Sequence, residues 1–452
     1  MKRINRLYIA TILAIAAISA EAENKIIFRY TGTDQDSIVY RIPAIASLPG
    51  NRLIAVADYR YCGYDIGNGR IDLHQSVSDD GGKTWSRPAL LTDKNGTPVS
   101  KGDGQGSVET SLQHPDCGYG DPAIVADRET GEILMLAVCG RTPFFKARRD
   151  NPNQVARWRS NDGGKSWTKR DTITSEIHGL FDGRRGDRLR APGGCIDAMF
   201  FGSGRIMQSR HIKAGSHYRI YSALSGRHVA DKTDTDSVGT YIANWVLYSD
   251  DFGQNWHILG HADTPPVATG GDEPKVEELP DGSVLLSARS STNYGRNFNI
   301  FRYSDTAKAT GSWEAAPVLS DFGGVNPNPC NGEILIIPVK DNKNLGNRDA
   351  WVALQSMTLS KKREDVGVKW KPLLSPADYA DAGAMAQGWG DIDTQTLKLT
   401  DLPSGYSTMV QMPDGKIAFL FEEATYDGKE YSIVYAGLTL EEITSGRFSA
   451  RL

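Results

Sequence analysis

The chemistry of this chain has to be sought in its arginines, tyrosines and carboxylates, because the familiar histidine, serine and cysteine patterns fail one by one. None of the eight histidines lies in a His-Glu-x-x-His run that would hold zinc from one helix face, and no Gly-x-Ser-x-Gly elbow presents a serine nucleophile. Gly102, Gly104 and Gly106 have the spacing of a phosphate cradle but no strand before them. Asp231, Asp234 and Asp236 resemble a calcium loop that lacks its glycine and its terminal glutamate. Five cysteines (Cys62, Cys117, Cys139, Cys195 and Cys330) form an odd set without Cys-x-x-Cys spacing, which argues against zinc and leaves at least one thiol free or paired between molecules. No metal and no cofactor are expected.

The elements that must position any site are announced by repetition. Ser-x-Asp-x-Gly-x-x-Trp occurs three times, at Ser78 to Trp85, Ser160 to Trp167 and Ser249 to Trp256. The aspartate can bond its own backbone to close a tight turn, the glycine supplies a positive φ, and the tryptophan covers a sheet with a large apolar face. A second repeat, a turn glycine followed by a short apolar strand, begins at Gly50, Gly131, Gly204, Gly282, Gly332 and Gly415, spaced on average 73 residues apart. Six such units fill the chain from about residue 23 to residue 452. Short runs rich in Val, Ile, Leu and Tyr alternate with Gly, Asp, Asn and Pro clusters, and no capped helical period appears. The expected fold is all-β, one six-bladed β-propeller without a linker.

The Ser-x-Asp-x-Gly-x-x-Trp phrase is the Asp box of sialidase-type propellers, and Tyr40-Arg41-Ile42-Pro43 resembles the Arg-Ile-Pro signature of the glycoside hydrolase family that contains bacterial and animal sialidases. The resemblance extends from about Ile26 onward. It implies an exo-α-sialidase that removes terminal sialic acids with retention, and it implies site residues by spacing. Asp65, 24 residues after Arg41, takes the place of the general acid; Glu273, sixteen before Arg289, that of the base; and Tyr406 that of the nucleophile. Arg41, Arg289 and Arg348, the last 59 residues beyond Arg289, take the places of a carboxylate-binding triad. Glu422, sixteen beyond Tyr406, would orient Arg41, and Arg60 would look toward the sugar's 4-hydroxyl.

Physical chemistry is consistent with those roles. Three guanidinium forks can meet a carboxylate with paired, charge-assisted hydrogen bonds. A carboxylate nucleophile would be repelled by the acid group on the anomeric carbon, whereas a phenol that gives its proton to a nearby glutamate would not; tyrosine-nucleophile sialidases are an established exception to the two-carboxylate rule. Asp72 is the competing acid, but it is flanked by strand residues, whereas Asp65 lies in a Gly/Asn-rich loop. The third Asp box carries Asn255 where Thr or Ser is commoner, and Tyr218 and Tyr221 are candidates for either aglycone binding or blade packing. The same residues would serve a trans-sialidase, intermolecular or intramolecular, and the arginines alone would serve a non-catalytic sialoglycan-binding propeller.

The amino terminus reads as a secretory signal. Lys2, Arg3 and Arg6 precede an apolar run from Leu7 to Ala20 that is too short to span a bilayer, with small residues around Ala22. Export to the periplasm, cell surface or medium is expected, with no membrane span in the mature chain from residue 23. Net charge is −4 with both signs interspersed, which excludes a phosphate-tracking surface; the Lys146 to Arg149 cluster reads as a solvated loop. The expected partners are sialylated glycans (glycoproteins, gangliosides and sialyl-oligosaccharides), not nucleic acid.

Overall fold

Turn glycines, Asp boxes and apolar runs assemble six mainly antiparallel sheets around one axis in the computed structural model, which describes residues 24–30, 39–61, 65–67, 70–91, 118–168, 171–182, 196–228, 241–290, 294–325, 330–343, 348–391, 393–426 and 430–451. The chain is a six-bladed β-propeller. Blade 1 contains Val39–Ser47, Leu53–Arg60, Ile71–Ser78 and Ala89–Leu90. Blade 2 contains Tyr119–Ala126, Ile133–Cys139, Gln154–Ser160 and Asp171–Thr172. In blade 3, Ala198–Phe201 and Met207–Ala214 both pair with the long strand His217–His228, followed by Tyr241–Ser249 and His257–Ile258. Blade 4 runs through Gly271–Glu278, Val284–Ser290, Arg296–Asp305 and Thr310–Trp313, and blade 5 through Ile334–Asp341, Arg348–Thr358, Val366–Leu373 and Thr396–Lys398. Blade 6 joins Ser404–Gln411, Ile417–Tyr426 and Glu430–Leu438 to Lys25–Phe28, so a strand from near the amino terminus completes the last sheet. The proposed signal peptide, the Asp231 to Asp236 cluster, the Gly102 to Gly106 run, Cys62, Cys117 and Cys195 lie outside the described residues. Among the described residues no helix is long and apolar enough to cross a membrane.

Each blade is covered on both faces by its neighbours, which is why its strands read as nearly continuous apolar runs. Ile54 and Leu73 of blade 1 pack with Met135 and Trp158 of blade 2. Leu134 meets Trp245 between blades 2 and 3, and Val246 meets Leu286 between blades 3 and 4. Phe298 meets Ile336 across blades 4 and 5, and Val352 meets Phe419 across blades 5 and 6. Leu420 and Phe28 then meet Leu53 of blade 1, closing the ring. A closed ring leaves no inter-blade face exposed, and burial of this kind contributes roughly 25 cal/mol per Å² of apolar surface.

The Asp boxes are inter-blade fasteners. In the first, Ser78 Oγ accepts from Gly82 N at 2.8 Å, and Asp80 accepts from Thr84 N at 2.9 Å and from Thr84 Oγ1 at 2.6 Å. Asn255 preserves this in the third box, where its N and Nδ2 donate to Asp251 at 2.8 and 2.6 Å, so an amide serves where a hydroxyl is commoner. Trp167 Nε1 donates to Gln75 of the preceding blade at 2.8 Å, and Trp85 packs edge-on against Tyr435 of blade 6 with centroids 5.1 Å apart. The second repeat has the expected number of units but a shifting phase. Gly50, Gly131, Gly282 and Gly415 precede the second strand of their blades, whereas Gly204 begins the short strand Gly204–Arg205 that pairs with Tyr119–Ala126 at the edge of blade 2, and Gly332 leads into the first strand of blade 5.

Gly82 has φ +87°, and a Cβ there would come within 2.0 Å of the Tyr435 hydroxyl, a side chain held between blades 6 and 1. Gly82→Ala therefore combines a left-handed backbone with overpacking, and the expected loss is about 2–4 kcal/mol. A fall in the urea unfolding midpoint checks it; an unchanged midpoint would mean that the blade 6 and blade 1 contact yields freely.

Candidate active site

Four of the first strands carry an irregularity near the same end. Register shifts fall between Arg41 and Ala44, Gly120 and Ala123, Gly271 and Pro274, and Ser404 and Ser407. An extra residue in a strand bends it and re-aims its side chains. Here the bulges hold Ile42, Asp121, Asp272, Glu273 and Tyr406, all of which line one cavity of about 410 Å³. Ile42 is forced to φ +52°, a conformation β-branched residues avoid.

What holds that bulge is Glu422 on the second strand of blade 6. Its carboxylate is fully buried; Oε1 accepts from Arg41 Nε at 2.7 Å and from Ile42 N at 2.9 Å, and Oε2 accepts from Tyr406 N at 3.1 Å. Burial works against the Arg41 cation, but Glu422 outweighs it and keeps the guanidinium charged beyond its ordinary range. Gly405 lies so close that a Cβ there would sit 2.6 Å from Glu422 Oε2.

Tyr406 donates its hydroxyl hydrogen to Glu273 Oε1 in a short contact, and Arg289 Nη1 reaches Glu273 Oε2 at 3.0 Å and the Tyr406 hydroxyl at 3.4 Å. Burial, then the Glu273 charge, raise the Tyr406 phenol well above its usual pKa, so it stands neutral with its proton aimed at a carboxylate. Arg41 and Arg363 carry their guanidinium carbons 5.6 and 5.4 Å from the Tyr406 ring centroid. Asp272 beside them is pushed up to about 6 by burial and by Glu273.

Across the cavity Arg60, almost wholly buried, is shared by carboxylates. It meets Asp58 Oδ2 from Nε and Nη2 at 3.1 and 2.8 Å, Asp65 Oδ1 at 2.6 Å, and Asp121 at 3.9 Å. Asp58 has no exposure, and burial pushes it up to about 6 despite Arg60. Burial and then Asp58 raise Asp121 well above the carboxylate range. For Asp65, 86% exposed, desolvation pushes upward but Arg60, by charge and hydrogen bond, wins and holds it below its ordinary value.

The structure brings Arg41, Asp65, Glu273, Arg289 and Tyr406 to this cavity, with Arg60 and Glu422 directly behind them. It does not bring Arg348. That residue is exposed at the start of its strand, opposite Asp341 at the far end of the first strand of blade 5. From there the strand Arg348–Thr358 climbs roughly 33 Å toward the site at about 3.3 Å per residue. Arg363, in the turn that follows, lines the cavity in its stead. Arg289 is the last residue but one of the second strand of blade 4, and Arg363 follows the corresponding end of the second strand of blade 5 at Thr358, the signal that points to it. Asp72 is buried against Arg70 at 3.0 Å and is absent from the lining. Tyr221 is fully buried and bonded to Tyr303 at 2.6 Å, while Tyr218 lies under Arg128 beside a different cavity. That second cavity, about 420 Å³ at the other end of the axis, is lined by Arg128, Arg205, Arg210, Tyr218 and Glu277, and among its described residues no tyrosine hydroxyl is hydrogen-bonded to a carboxylate. Sequence reasoning also missed Asp58, Asp121, Asp272 and an apolar wall of Val138, Phe144, Phe145 and Phe200, because nothing local in the chain marks them.

The BNR/Asp-box repeat family model matches residues 76–87 and 247–257. A sialidase from Micromonospora viridifaciens is 29% identical over 398 residues, covering 85% of this chain and 50% of that protein. An anhydrosialidase from Macrobdella decora is 30% identical, covering 87% of this chain and 59% of that one. The chain thus spans little more than half the length of these curated relatives. Among solved structures, the Hadza microbial sialidase Hz136 superposes with a TM-score of 0.62 at 19% identity, over 92% of this chain and 68% of that chain, a likeness of fold.

Proposed function

We propose that this Asp-box propeller of the sialidase family is a retaining exo-α-sialidase that removes terminal sialic acids from glycans. The observation that carries this reading is the Tyr406 hydroxyl hydrogen-bonded to Glu273 in a cavity flanked by Arg41, Arg289 and Arg363. In this reading the three guanidinium groups hold the substrate carboxylate and so place the anomeric carbon over Tyr406. The phenolic oxygen bonds to that carbon as its proton passes to Glu273, and the bond to the glycosidic oxygen breaks while Asp65 protonates it. Water then gives a proton to Asp65 and its oxygen to the anomeric carbon, and Tyr406 leaves with the proton held by Glu273. Two inversions make net retention. Glycoproteins, gangliosides and sialyl-oligosaccharides are the proposed substrates, with export directed by residues 1–22.

The reading is tested by incubating the protein with a sialylated disaccharide and following the anomeric signal by NMR. Free sialic acid released as the α-anomer is expected; the β-anomer or a 2,7-anhydro sugar would replace hydrolysis with retention by another outcome. Tyr406→Phe should keep the fold yet lose turnover by a factor of at least about a hundred, the usual contribution of a positioned nucleophile or acid/base.

Arg363→Lys keeps the charge but loses the fork, so KM should rise about ten- to a hundredfold, the value of one charge-assisted hydrogen bond. Arg348→Lys, at the far end of its strand, should leave KM and kcat unchanged. Steady-state kinetics on the pair decides which arginine completes the triad.

Asp65 must be protonated to act as an acid, yet Arg60 stabilises its ionised form. Its depressed pKa places the descending limb of kcat/KM at acid pH, since that limb reports the free enzyme. Arg60→Gln removes the nearest cation, raises the Asp65 pKa and should move the limb to higher pH, whatever it does to the maximum. A limb that stays in place would mean that Asp65 is not the acid.

A further inference from the structure

The axis of the ring has two mouths, and three stretches of chain run from one to the other. Glu273 lines the Tyr406 cavity and Glu277 the second cavity, with Lys275 between them on the same strand. Tyr406, Thr408 and Val410 repeat this order on blade 6, and Ser203, Gly204 and Arg205 repeat it where the chain crosses from blade 3 to the edge of blade 2. The middle residues close the axis. Lys275 Nζ donates to Glu333 Oε2 at 3.3 Å and Thr408 Oγ1 donates to the same oxygen at 3.2 Å, with all three side chains buried. A Cβ on Gly204 would lie 2.6 Å from Lys275 Nζ, so no larger residue fits there. The second cavity is therefore a separate pit and not the floor of the first.

Its walls are of two kinds. The far ends of the inner strands give it aliphatic sides, among them Ile45, Ile124, Leu335 and Ile337. Three arginines, Arg128, Arg205 and Arg210, stand against one carboxylate in the lining, Glu277, and that carboxylate is already occupied. Its Oε2 accepts from Arg205 Nη2 at 2.6 Å, while Oε1 accepts from Glu278 N at 2.8 Å and lies 3.2 Å from Arg210 Nη2. Arg205 and Arg210 also donate to the carbonyls of Ile334 and Ile336. Arg128 is different. It is exposed and forms no ion pair among the described residues, yet Nη2 donates to Ser209 O at 2.6 Å and the guanidinium sits over the Tyr218 ring, 3.6 Å from its centroid. A guanidinium held on one edge and one face, without a counter-charge, at the mouth of an aliphatic pit suits an anionic group attached to an apolar body.

We propose that this second axial cavity binds an organic oxoanion, a carboxylate or sulfonate carried on an apolar body, with Arg128 on the charged group and the strand-end aliphatic side chains around the remainder. It is a second site, independent of the sialidase reading.

The test titrates the full chain with anilinonaphthalene sulfonate, a fluorescent sulfonate on an apolar body, and repeats the titration on Arg128→Ala, Arg128→Glu and Arg363→Ala. Wild type should enhance the fluorescence saturably. Arg128→Ala should weaken binding about tenfold, the value of one charge-assisted hydrogen bond, and Arg128→Glu should weaken it further. A variant with a loosened fold would raise the fluorescence, so a loss of signal cannot come from unfolding. Arg363→Ala, in the other cavity, should bind as wild type does. Octanoate should displace the dye, whereas octanol and inorganic sulfate at the same concentration should not. The proposal is overturned by the absence of saturable binding, by Arg128 variants that bind as wild type does, or by a loss confined to Arg363→Ala, which would put the dye in the Tyr406 cavity. Displacement by octanol as well as octanoate would show apolar contact without anion recognition, and displacement by sulfate would show a bare anion site; each overturns it too.

Discussion

One buried carboxylate, Glu422, ties the site together. Removing a carboxylate from water is costly unless each lone pair finds a donor. Glu422 finds them in the Arg41 side chain, the strained Ile42 backbone and the Tyr406 backbone, so meeting its own needs joins blade 6 to blade 1 and holds two strand bulges at once. The arrangement explains why a β-branched residue tolerates a left-handed backbone at position 42: straightening the strand would orphan a buried charge. Arg41 and Tyr406 thereby acquire their relative placement from one group that lies behind the cavity lining.

The propeller makes such an arrangement economical. Six apolar interfaces, each between neighbouring blades, hold the first strands in a ring, and bulges near one end of four of them turn side chains into a shared cavity without disturbing the packing below. Residues from position 41 to position 406 meet there because a closed ring brings sequence-distant strands side by side. The Asp boxes serve the other requirement, fastening each turn to the preceding blade.

The electrostatics of the cavity are divided. Around Tyr406 stand the guanidinium groups of Arg41, Arg289 and Arg363, which favours an anionic ligand, and the phenol's proton is aimed at the Glu273 carboxylate. Around Arg60 the balance reverses, with Asp58, Asp65 and Asp121 sharing a single cation, and burial lifts the Asp58 and Asp121 carboxyls. Asp65, at the exposed edge of that cluster, sits where small displacements from Arg60 change its affinity for a proton.

The Asp boxes and apolar runs were sufficient to read a six-bladed all-β propeller, because turn chemistry and strand burial are local properties of the chain. Arg41, Asp65, Glu273, Arg289, Tyr406 and Glu422 were marked by the spacing that the family resemblance implies, and the structure places them in or directly behind one cavity. Arg348 was not separable from Arg363 by spacing, because strand length decides which end of a blade a residue reaches, and the eleven residues of Arg348–Thr358 carry the chain from one end of blade 5 to the other. Asp58, Asp121 and Phe145 left no trace in sequence for a related reason. A carboxylate gains meaning from the single cation it shares with residues in another strand, and a ring joins the cavity wall only when Arg227 and Phe200, more than fifty residues away, hold the turn at Phe144–Lys146 in place. Local pattern determines the elements; which side chains face each other across the axis is set by closure of the ring.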